Sequence, residues 1–330
     1  MRSGLSIGLA LAALTVIVPP PGGLSPEAWR VAGLGLMMAV WWITEAIPLA
    51  ATALVPLAVF PLLGLGGMEE VAGAYAHPLI VLFLGGFLVA RAVERWGLHW
   101  ALAGRILALV GESPARIVGG LMLASAFLSL WISNTASTMV IAPIAAAIAA
   151  SVKGDDRFGA AALLGVAYAA TIGGMGSLIG TPPNALFAAY MAESHGLVIG
   201  FAEWATIGLP VVAVLLPVAW VVLTRLAFRL GQTPVAMPER TALPGPAKRV
   251  AALGAMAAAL LVLRPVIDGI APGLGLTDAG IAIAAALLLF LLPSGEGSRL
   301  LDWETARSIR WDVLLLFGGG LALASAFQST

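Results

Sequence analysis

Long apolar runs, separated by short charged stretches, recur along the whole chain. A membrane-spanning helix needs about 20 apolar residues. Runs of about this length lie near 4–20, 28–47, 48–65, 78–96, 204–224, 250–268, 277–293 and 311–330. Charged residues make up only 10% of the 330 residues, against roughly 25% in a soluble domain. A water-facing surface cannot be built from so few charges, so the sequence predicts an all-α, multi-pass protein of the inner or plasma membrane.

The same composition excludes several classes of site. The chain has no cysteine, so it has neither disulfides nor thiolate metal ligands. Its three histidines, His77, His99 and His195, lack the spacing of a metal site. A net charge of zero argues against a nucleic-acid partner. Membrane lipid is the expected partner of the apolar surface.

The first run, after Arg2, has two possible explanations. It could be a signal peptide, but no small-x-small cleavage site follows, and the run ends at three prolines, 19–21. We favour a retained N-terminal helix within residues 1–26.

Basic residues orient the spans. Two further stretches, 113–153 and 157–194, do not fit ordinary spans. We let the N-terminus lie in the cytoplasm, let 113–153 enter and leave on one side, and let 157–194 cross once. Every one of the 17 Lys and Arg residues except Arg30 and Arg264 then falls on the cytoplasmic side. This asymmetry is typical of multi-pass membrane proteins.

The stretch 113–153 runs between the basic residues Arg116 and Lys153 and has a polar cluster, 133–138, in its middle. Two full crossings and a turn need slightly more residues, so we predict a re-entrant hairpin of two half-helices. Lipid cannot satisfy the unpaired backbone groups of its tip, so the tip must line a cavity. The alternative is that these Ser, Asn and Thr residues only join helices to each other.

The stretch 157–194 is too long for one helix and too short for two. Glycines at 173, 174, 176 and 180 and the paired prolines 182–183 lie in its middle. Glycine permits close backbone approach, and proline removes N–H donors. We predict one crossing that is unwound near its middle, as in the binding sites of secondary transporters; a simple kink is the alternative.

Two short segments recur at one fixed offset. Residues 44–46 (Thr-Glu-Ala) resemble 277–279 (Thr-Asp-Ala), and 85–88 resemble 318–321, each pair 233 positions apart. The first member of each pair faces the opposite side from the second, which predicts an inverted repeat. The offset also predicts a second polar tip near position 366, beyond Thr330. We therefore expect one whole repeat (27–230), a cytoplasmic loop (231–249) and an incomplete second repeat (250–330).

Three motifs carry a family resemblance. Residues 42–49 (Trp-Ile-Thr-Glu-Ala-Ile-Pro-Leu), 133–135 (Ser-Asn-Thr) with Pro143 behind them, and 179–184 (Ile-Gly-Thr-Pro-Pro-Asn) resemble those of the divalent anion/sodium symporter family, which includes bacterial dicarboxylate carriers. The resemblance implies a homodimer with two Ser-Asn-Thr hairpin tips and elevator-type transport. In such a transporter, 28–65 and 204–224 would be scaffold helices and 78–194 the transport part.

The resemblance also assigns site residues. Sodium, the coupling ion, would bind Ser129, Ser133, Asn134 and the carbonyl of Gly180. Ser129 could instead be a helix serine bonded to its own backbone. No further cofactor is expected.

The anion, a small di- or tricarboxylate such as succinate, malate, fumarate or citrate, would contact Ser133, Asn134, Thr135, Thr181 and Pro182. Because no Lys or Arg lies at the membrane centre, neutral donors, helix dipoles and bound sodium would have to hold it.

Other functions remain open at this stage. They are a sodium-independent anion exchanger, a sulfate or metalloid-anion permease or pore, and an inactive carrier fragment. An intramembrane enzyme is not expected, because no catalytic set of side chains lies inside the spans.

Glu45, the acid nearest to a span interior, is either a structural helix cap, which we favour, or a proton or cation group.

Overall fold

The computed structural model describes residues 2–152, 156–231 and 245–330. These residues form helices and no β-strand. The α-helices, in chain order, are α1 (Arg2–Ile17), α2 (Pro26–Thr44), α3 (Leu49–Thr52), α4 (Val55–Val59), α5 (Met68–Tyr75), α6 (Pro78–Arg95), α7 (Leu98–Val110), α8 (Pro114–Ser129), α9 (Asn134–Ser151), α10 (Asp156–Gly174), α11 (Pro182–His195), α12 (Phe201–Val221), α13 (Gly245–Ile270), α14 (Asp278–Leu291), α15 (Trp303–Ala306) and α16 (Trp311–Ser329). Short 3-10 turns occupy Pro61–Leu63 and Pro272–Leu274, and a π-helical turn, Val222–Ala227, continues α12.

The prediction of an all-α membrane protein is confirmed. Six helical stretches of the described residues are long and apolar enough to cross a membrane. They are Met68–Arg95, Asn134–Ser151, Asp156–Gly174, Phe201–Ala227, Gly245–Ile270 and Trp311–Ser329. Lys153, the predicted end of the hairpin, lies outside the described residues. Residues 232–244, which make up most of the predicted loop 231–249, also lie outside the described residues. The last residues of that predicted loop belong to α13.

Two stretches differ from the sequence-based spans. The run 48–65 is not one helix but α3, α4 and a 3-10 turn, because Pro56 and Pro61 stand at the starts of the second and third pieces and supply no N–H to the preceding turn. Helix α7 was not predicted at all. It begins after Gly97, which has φ +64°, and this tight turn separates it from α6.

The chain forms two compact units. The first comprises Met1–Phe83, Leu186–Ile199 and Arg310–Thr330, and the second comprises Leu84–Ala185 and Gly200–Ile309. In the first unit α1 packs on α2, where Gly33 accommodates the side chain of Thr15. The core of this unit is made by apolar side chains of α2, the α4–α5 region and α16: Val31, Leu34, Met37, Met38, Trp41, Phe60, Leu65, Val71, Ala322 and Ala326.

The second unit is built around α8, α9 and α10. A Cβ placed on Gly173 would stand 2.3 Å from the carbonyl oxygen of Ala126, so α8 and α10 touch through their backbones. Helix α12 packs on both, and the indole of Trp220 donates to the carbonyl of Ala115 at 2.7 Å. The hairpin, α10 and α12 therefore share one core. The assignment of 204–224 to a scaffold concerns movement and stays a prediction.

Each of the two repeated glycine segments has one glycine against another stretch of backbone, although the offset of 233 does not pair these two glycines. A Cβ on Gly85 of α6 would lie 2.6 Å from the carbonyl carbon of Ala282 in α14. A Cβ on Gly319 of α16 would lie 2.4 Å from the carbonyl oxygen of Ala53, just after α3. Each glycine thus brings the backbone of its helix against another backbone segment. The inverted repeat itself stays a prediction.

Charged residues meet at helix ends. Arg264, near the end of α13, contacts three carboxylates: its Nε lies 2.6 Å from Asp278, its Nη1 3.1 Å from Asp268 and its Nη2 4.0 Å from Glu203. Asp278 also accepts the N–H of Phe201 at 2.7 Å. The cluster joins the end of α13 to the starts of α12 and α14.

A second ion pair joins α6 to the start of α15. Arg95 lies 2.5 Å from Asp302 and donates to the hydroxyl of Thr305 at 3.2 Å. Asp302 caps α15 by accepting the N–H of Thr305 at 2.9 Å. The hydrogen bonds from Thr305, and then the guanidinium of Arg95, hold the pKa of Asp302 below its usual range. This carboxylate therefore stays charged at neutral pH.

Glu45 occupies a helix end. It follows α2 in the left-handed conformation, with φ 47° and ψ 42°, and its N–H bonds to the carbonyl of Trp41. Its side chain is exposed. This geometry favours the structural cap over a proton or cation group.

We expect Glu45→Gly to stabilise the protein. Left-handed backbone costs a non-glycine residue about 1–2 kcal/mol, which exceeds the roughly 0.5–1 kcal/mol of extra chain entropy that glycine loses on folding. The melting temperature in detergent should rise slightly, while Glu45→Gln, which keeps the strained backbone, should leave it unchanged. Loss of transport in both variants would show that the carboxylate has a role beyond the cap.

Candidate binding site at two helix breaks

The first break is the tip of a helical hairpin. Helix α8 ends at Ser129, and α9 begins at Asn134 after a four-residue turn. The turn is held by the N–H groups of Trp131 and Ile132, which bond to the carbonyl of Leu128 at 2.9 and 3.0 Å. Ser133 is the N-cap of α9, since its hydroxyl accepts the N–H of Ala136 at 3.3 Å. The polar cluster thus starts a helix, as serine and asparagine commonly do.

Hydroxyl groups of the hairpin divide into two kinds. Ser137 and Ser125 are fully buried and join helices: Ser137 donates to the carbonyl of Ser125 at 2.7 Å, and Ser125 donates to the carbonyl of Val166 at 2.9 Å. Ser137 therefore joins helices to each other, which was the alternative explanation of the polar cluster 133–138. Ser129 differs, because its hydroxyl donates to the Oδ1 of Asn134 at 2.6 Å across the tip rather than to its own helix.

The second break interrupts α10 and α11. Helix α10 ends at Gly174, and α11 begins at Pro182. At the end of α10 the backbone hydrogen bonds span three residues instead of four. The N–H of Met175 donates to the carbonyl of Ile172 at 3.1 Å, and the N–H of Gly176 donates to that of Gly173 at 2.9 Å. A non-helical segment, residues 175–181, follows. The interruption that the sequence predicted is present, and it is longer than a kink.

The two breaks touch each other. The hydroxyl of Ser177 donates to the carbonyl of Leu130 in the hairpin turn. A Cβ on Gly174 would lie 2.3 Å from the Oδ1 of Asn134, and a Cβ on Gly180 would lie 2.8 Å from the carbonyl oxygen of Ser129 and 2.5 Å from that of Gly174. Only glycine fits at these positions. As a result, several oxygens crowd together at one point of the second unit.

The predicted sodium ligands are brought together in large part. The hydroxyl of Ser129 lies 2.6 Å from the Oδ1 of Asn134, and the backbone of Gly180 lies against the carbonyl of Ser129. All three residues carry oxygen atoms, the ligands that hard cations prefer. Ser133 lies on the same turn, but its hydroxyl already serves as the cap of α9. Gly174, which was not predicted, borders the same point through its carbonyl.

The predicted anion contacts lie at the starts of the two following helices. Thr135 stands in the first turn of α9 and is exposed, while Thr181 and Pro182 are half-buried at the start of α11. Within the described ranges no hydrogen bond engages the hydroxyls of Thr135 and Thr181, so both are free to contact a ligand.

Two further residues hold the second break. The side-chain amide of Asn184 donates to the carbonyls of Gly174 at 2.9 Å and Ser177 at 2.8 Å. The indole of Trp204 donates to the carbonyl of Met175 at 2.9 Å. Asn184 could have been suspected as the polar residue directly after the proline pair. Trp204 lies on α12, and no local pattern connects it to the break.

Helix ends give the site its electrostatic character. The ends of α8 and α10 bring carbonyl oxygens and partial negative charge, and the starts of α9 and α11 bring partial positive charge. No Lys, Arg, Asp or Glu occurs in 117–152 or 158–192. The described residues also hold no group of three or more His, Asp or Glu side chains that could bind a metal ion. These two stretches can therefore offer a cation or an anion neutral oxygens, N–H groups and dipoles.

Comparison with known proteins identifies the family of the chain. A family model described as citrate transporter matches residues 39–330. A protein of Staphylococcus saprophyticus subsp. saprophyticus, named sodium-dependent dicarboxylate transporter SdcS, is 38% identical over 359 residues, which cover 99% of this chain and 67% of that protein. Proteins of the same name from Staphylococcus aureus strains bovine RF122 / ET3-1 and USA300 are each 37% identical over 350 residues, with the same coverage.

The chain belongs to the divalent anion/sodium symporter family. The resemblance inferred from the three motifs is thereby confirmed over nearly the whole chain. Members of the symporter family are transporters and not enzymes, and this member is a multi-pass membrane protein. It spans about two thirds of the length of these relatives.

In this symporter-family member the close contact of the two breaks can be tested with Gly180→Ala. The added methyl group would meet two backbone carbonyls, which cannot move aside as a flexible side chain can. Displacement of catalytic or binding groups by about 1 Å can cost up to about 100-fold in rate. We expect transport in proteoliposomes, corrected for the amount of folded protein, to fall by about tenfold or more.

Gly104→Ala is the matched control for this variant. Gly104 lies inside α7, and a Cβ there would meet nothing within 4 Å. Equal transport by the two alanine variants would contradict the requirement for glycine at position 180.

Proposed function

We propose that this protein is a sodium-coupled secondary transporter of di- or tricarboxylate anions, of the succinate, malate, fumarate or citrate type. The observation that carries the proposal is the meeting of two helix breaks, at 130–133 and 175–181, without any charged side chain. Breaks of this kind in a membrane protein supply free backbone groups, and the binding sites of secondary transporters are typically built from them. The printed names of the relatives, sodium-dependent dicarboxylate transporter, and of the family, citrate transporter, agree with this chemistry.

The cation would bind where oxygens converge. Ser129, Asn134 and Gly180 provide hydroxyl, amide and carbonyl oxygens within a small space, with Ser133 as a further candidate. The ends of α8 and α10 add the negative ends of two helix dipoles. Such a set suits a singly charged hard cation, because the site has no carboxylate to attract a divalent ion.

The anion would bind beside this point, at the starts of α9 and α11. The N-terminus of α9 presents backbone N–H groups near Asn134 and Thr135, together with the hydroxyl of Ser133. Helix α11 differs, because its first two residues are prolines and bring no N–H. At that end, Thr181 would have to supply the hydrogen bond, and Pro182 an apolar contact.

The absence of basic side chains makes the coupling a physical expectation. A dianion transferred from water into a site of low dielectric constant is strongly disfavoured unless opposite charge accompanies it. Residues 117–152 and 158–192 contain no basic side chain, so a bound cation would provide the compensating charge. Conversely, sodium among neutral oxygens gains from the nearby anion. Each ion therefore increases the affinity of the site for the other.

An elevator-type movement remains our proposal for the transport step. We assign the hairpin and the break to the moving part and residues 28–65 to the scaffold, in a homodimer as the family resemblance implies. For α12 we depart from the sequence-based assignment. Its packing on α8 and α10, with the Trp220 bond to Ala115, argues that it moves with the hairpin. The proposed inverted repeat rests on the shared offset of 233 positions between 44–46 and 277–279 and between 85–88 and 318–321.

Counterflow tests the carrier mechanism. Proteoliposomes loaded with unlabelled succinate or citrate should take up the labelled anion transiently above its equilibrium level, and only when sodium is present. A pore gives no such overshoot. An exchanger without sodium coupling gives it equally in potassium. Either result would contradict the proposal, and comparison of succinate, citrate and sulfate gives the substrate class.

Two alanine variants should separate the ion sites. Asn134→Ala removes an oxygen that accepts the hydroxyl of Ser129, and we expect it to abolish sodium-dependent uptake. Thr181→Ala should leave the sodium requirement intact and raise the KM for the anion by about tenfold, because a hydrogen bond to a charged group contributes roughly 1.5–3 kcal/mol. Unchanged uptake by Asn134→Ala at matched expression would remove Asn134 from the sodium site.

A further inference from the structure

The break in 175–181 leaves carbonyl oxygens that a continuous helix would have satisfied. In an α-helix each carbonyl accepts the N–H four residues later. Pro182 and Pro183 have no N–H, so the carbonyls of Leu178 and Ile179 could not have been paired in this way. The N–H of Asn184 bonds to the carbonyl of Thr181 at 3.2 Å and not to that of Gly180. Within the described residues, no backbone or side-chain donor bonds to the carbonyl of Gly180.

Other carbonyls of the break are bonded by side-chain donors. Both bonds from the Asn184 amide end on carbonyls of this segment, those of Gly174 and Ser177. Asn184 is 7% exposed, so this amide is shielded from water. The carbonyl of Met175 is bonded by Trp204 instead.

The two donors act on different sides of the break. Asn184 holds the carbonyl of Gly174, the group nearest to Gly180 and a direct neighbour of the predicted sodium ligands. Trp204 holds the carbonyl of Met175, which lies 2.5 Å from a Cβ built on Gly208 and therefore faces α12. One donor borders the ion site, and the other fastens the break to a neighbouring helix.

We propose that Asn184 is a positioning residue of the cation site. It does not touch the ion. Its amide bonds draw the carbonyls of Gly174 and Ser177 toward α11, which fixes the curve of the break and leaves the carbonyl of Gly180 directed to the cation. This inference rests on the proposed sodium coupling.

The test compares sodium half-saturation of uptake in proteoliposomes. Partners that orient metal ligands typically change metal affinity by about 10–100-fold when they are removed. We expect Asn184→Ala to raise the sodium concentration for half-maximal uptake by about tenfold or more. The anion KM at saturating sodium should stay within about twofold of the original value, because the Asn184 amide bonds to carbonyls of the break and to none of the predicted anion contacts.

Trp204→Phe is the matched control. It also removes one N–H bond to a carbonyl of the same break and keeps an aromatic ring, but on the side facing α12. Its sodium half-saturation should equal that of the unaltered protein. If the sodium half-saturation rose equally in Trp204→Phe and Asn184→Ala, the loss of any hydrogen bond in the break would have the same effect. The positioning role of Asn184 would then be wrong.

Asn184→Gln covers the case in which the alanine variant does not fold. It keeps two N–H donors on a side chain one methylene longer, and it should give an intermediate half-saturation. An unchanged value in a folded variant at position 184 would overturn the inference and leave the proposed function intact. Uptake by the unaltered protein that ignores sodium would instead contradict the proposed function before any variant is compared.

Discussion

A backbone group without a hydrogen-bond partner cannot be left facing lipid, because each one costs several kcal/mol there. Every feature of the candidate site follows from the way this chain meets that constraint at its two helix breaks. In the hairpin turn, Leu128 accepts two N–H groups, and Leu130 accepts the hydroxyl of Ser177. In the second break, Asn184 and Trp204 provide donors. The carbonyl of Gly180 accepts no hydrogen bond from the described residues, so it remains available to a ligand.

Close backbone contact is the second condition. Gly173 lies against Ala126, Gly174 against Asn134, and Gly180 against Ser129, each at a distance that excludes a side chain. The glycines of the second break therefore act less through flexibility than through lack of volume. They allow α10 and the second break to approach α8 and the hairpin turn so closely that polar atoms of the hairpin occupy the space where a side chain would lie. A methyl group at any of these positions would separate the oxygens that the proposed cation needs.

Much of the architecture could be predicted from the sequence, because long apolar runs, paired prolines and a polar cluster have few structural solutions in a membrane. The hairpin turn and the break were located within a few residues. The run 48–65 was not resolved into pieces, since apolarity alone does not reveal how Pro56 and Pro61 divide it. Helix α7 was missed because it is only 13 residues long and contains His99 and Arg105. Within the site, Ser129 and Ser137 looked alike in sequence, and only the structure separates the residue at the tip from the one that joins helices. Trp204 could not be found at all, because its bond to Met175 joins segments 29 positions apart.

The proline pair that opens α11 has a consequence for how the site forms. If residues 182 and 183 were not prolines, segment 175–181 could recover more backbone hydrogen bonds by forming a helix when no ligand is bound. Ligand binding would then have to compete with helix formation. With two consecutive prolines at 182 and 183, rewinding gains less, because two of the N–H donors that it would recruit do not exist. Without a ligand, the segment would therefore stay unwound. Little of the binding energy of the ions would then be lost in unwinding it.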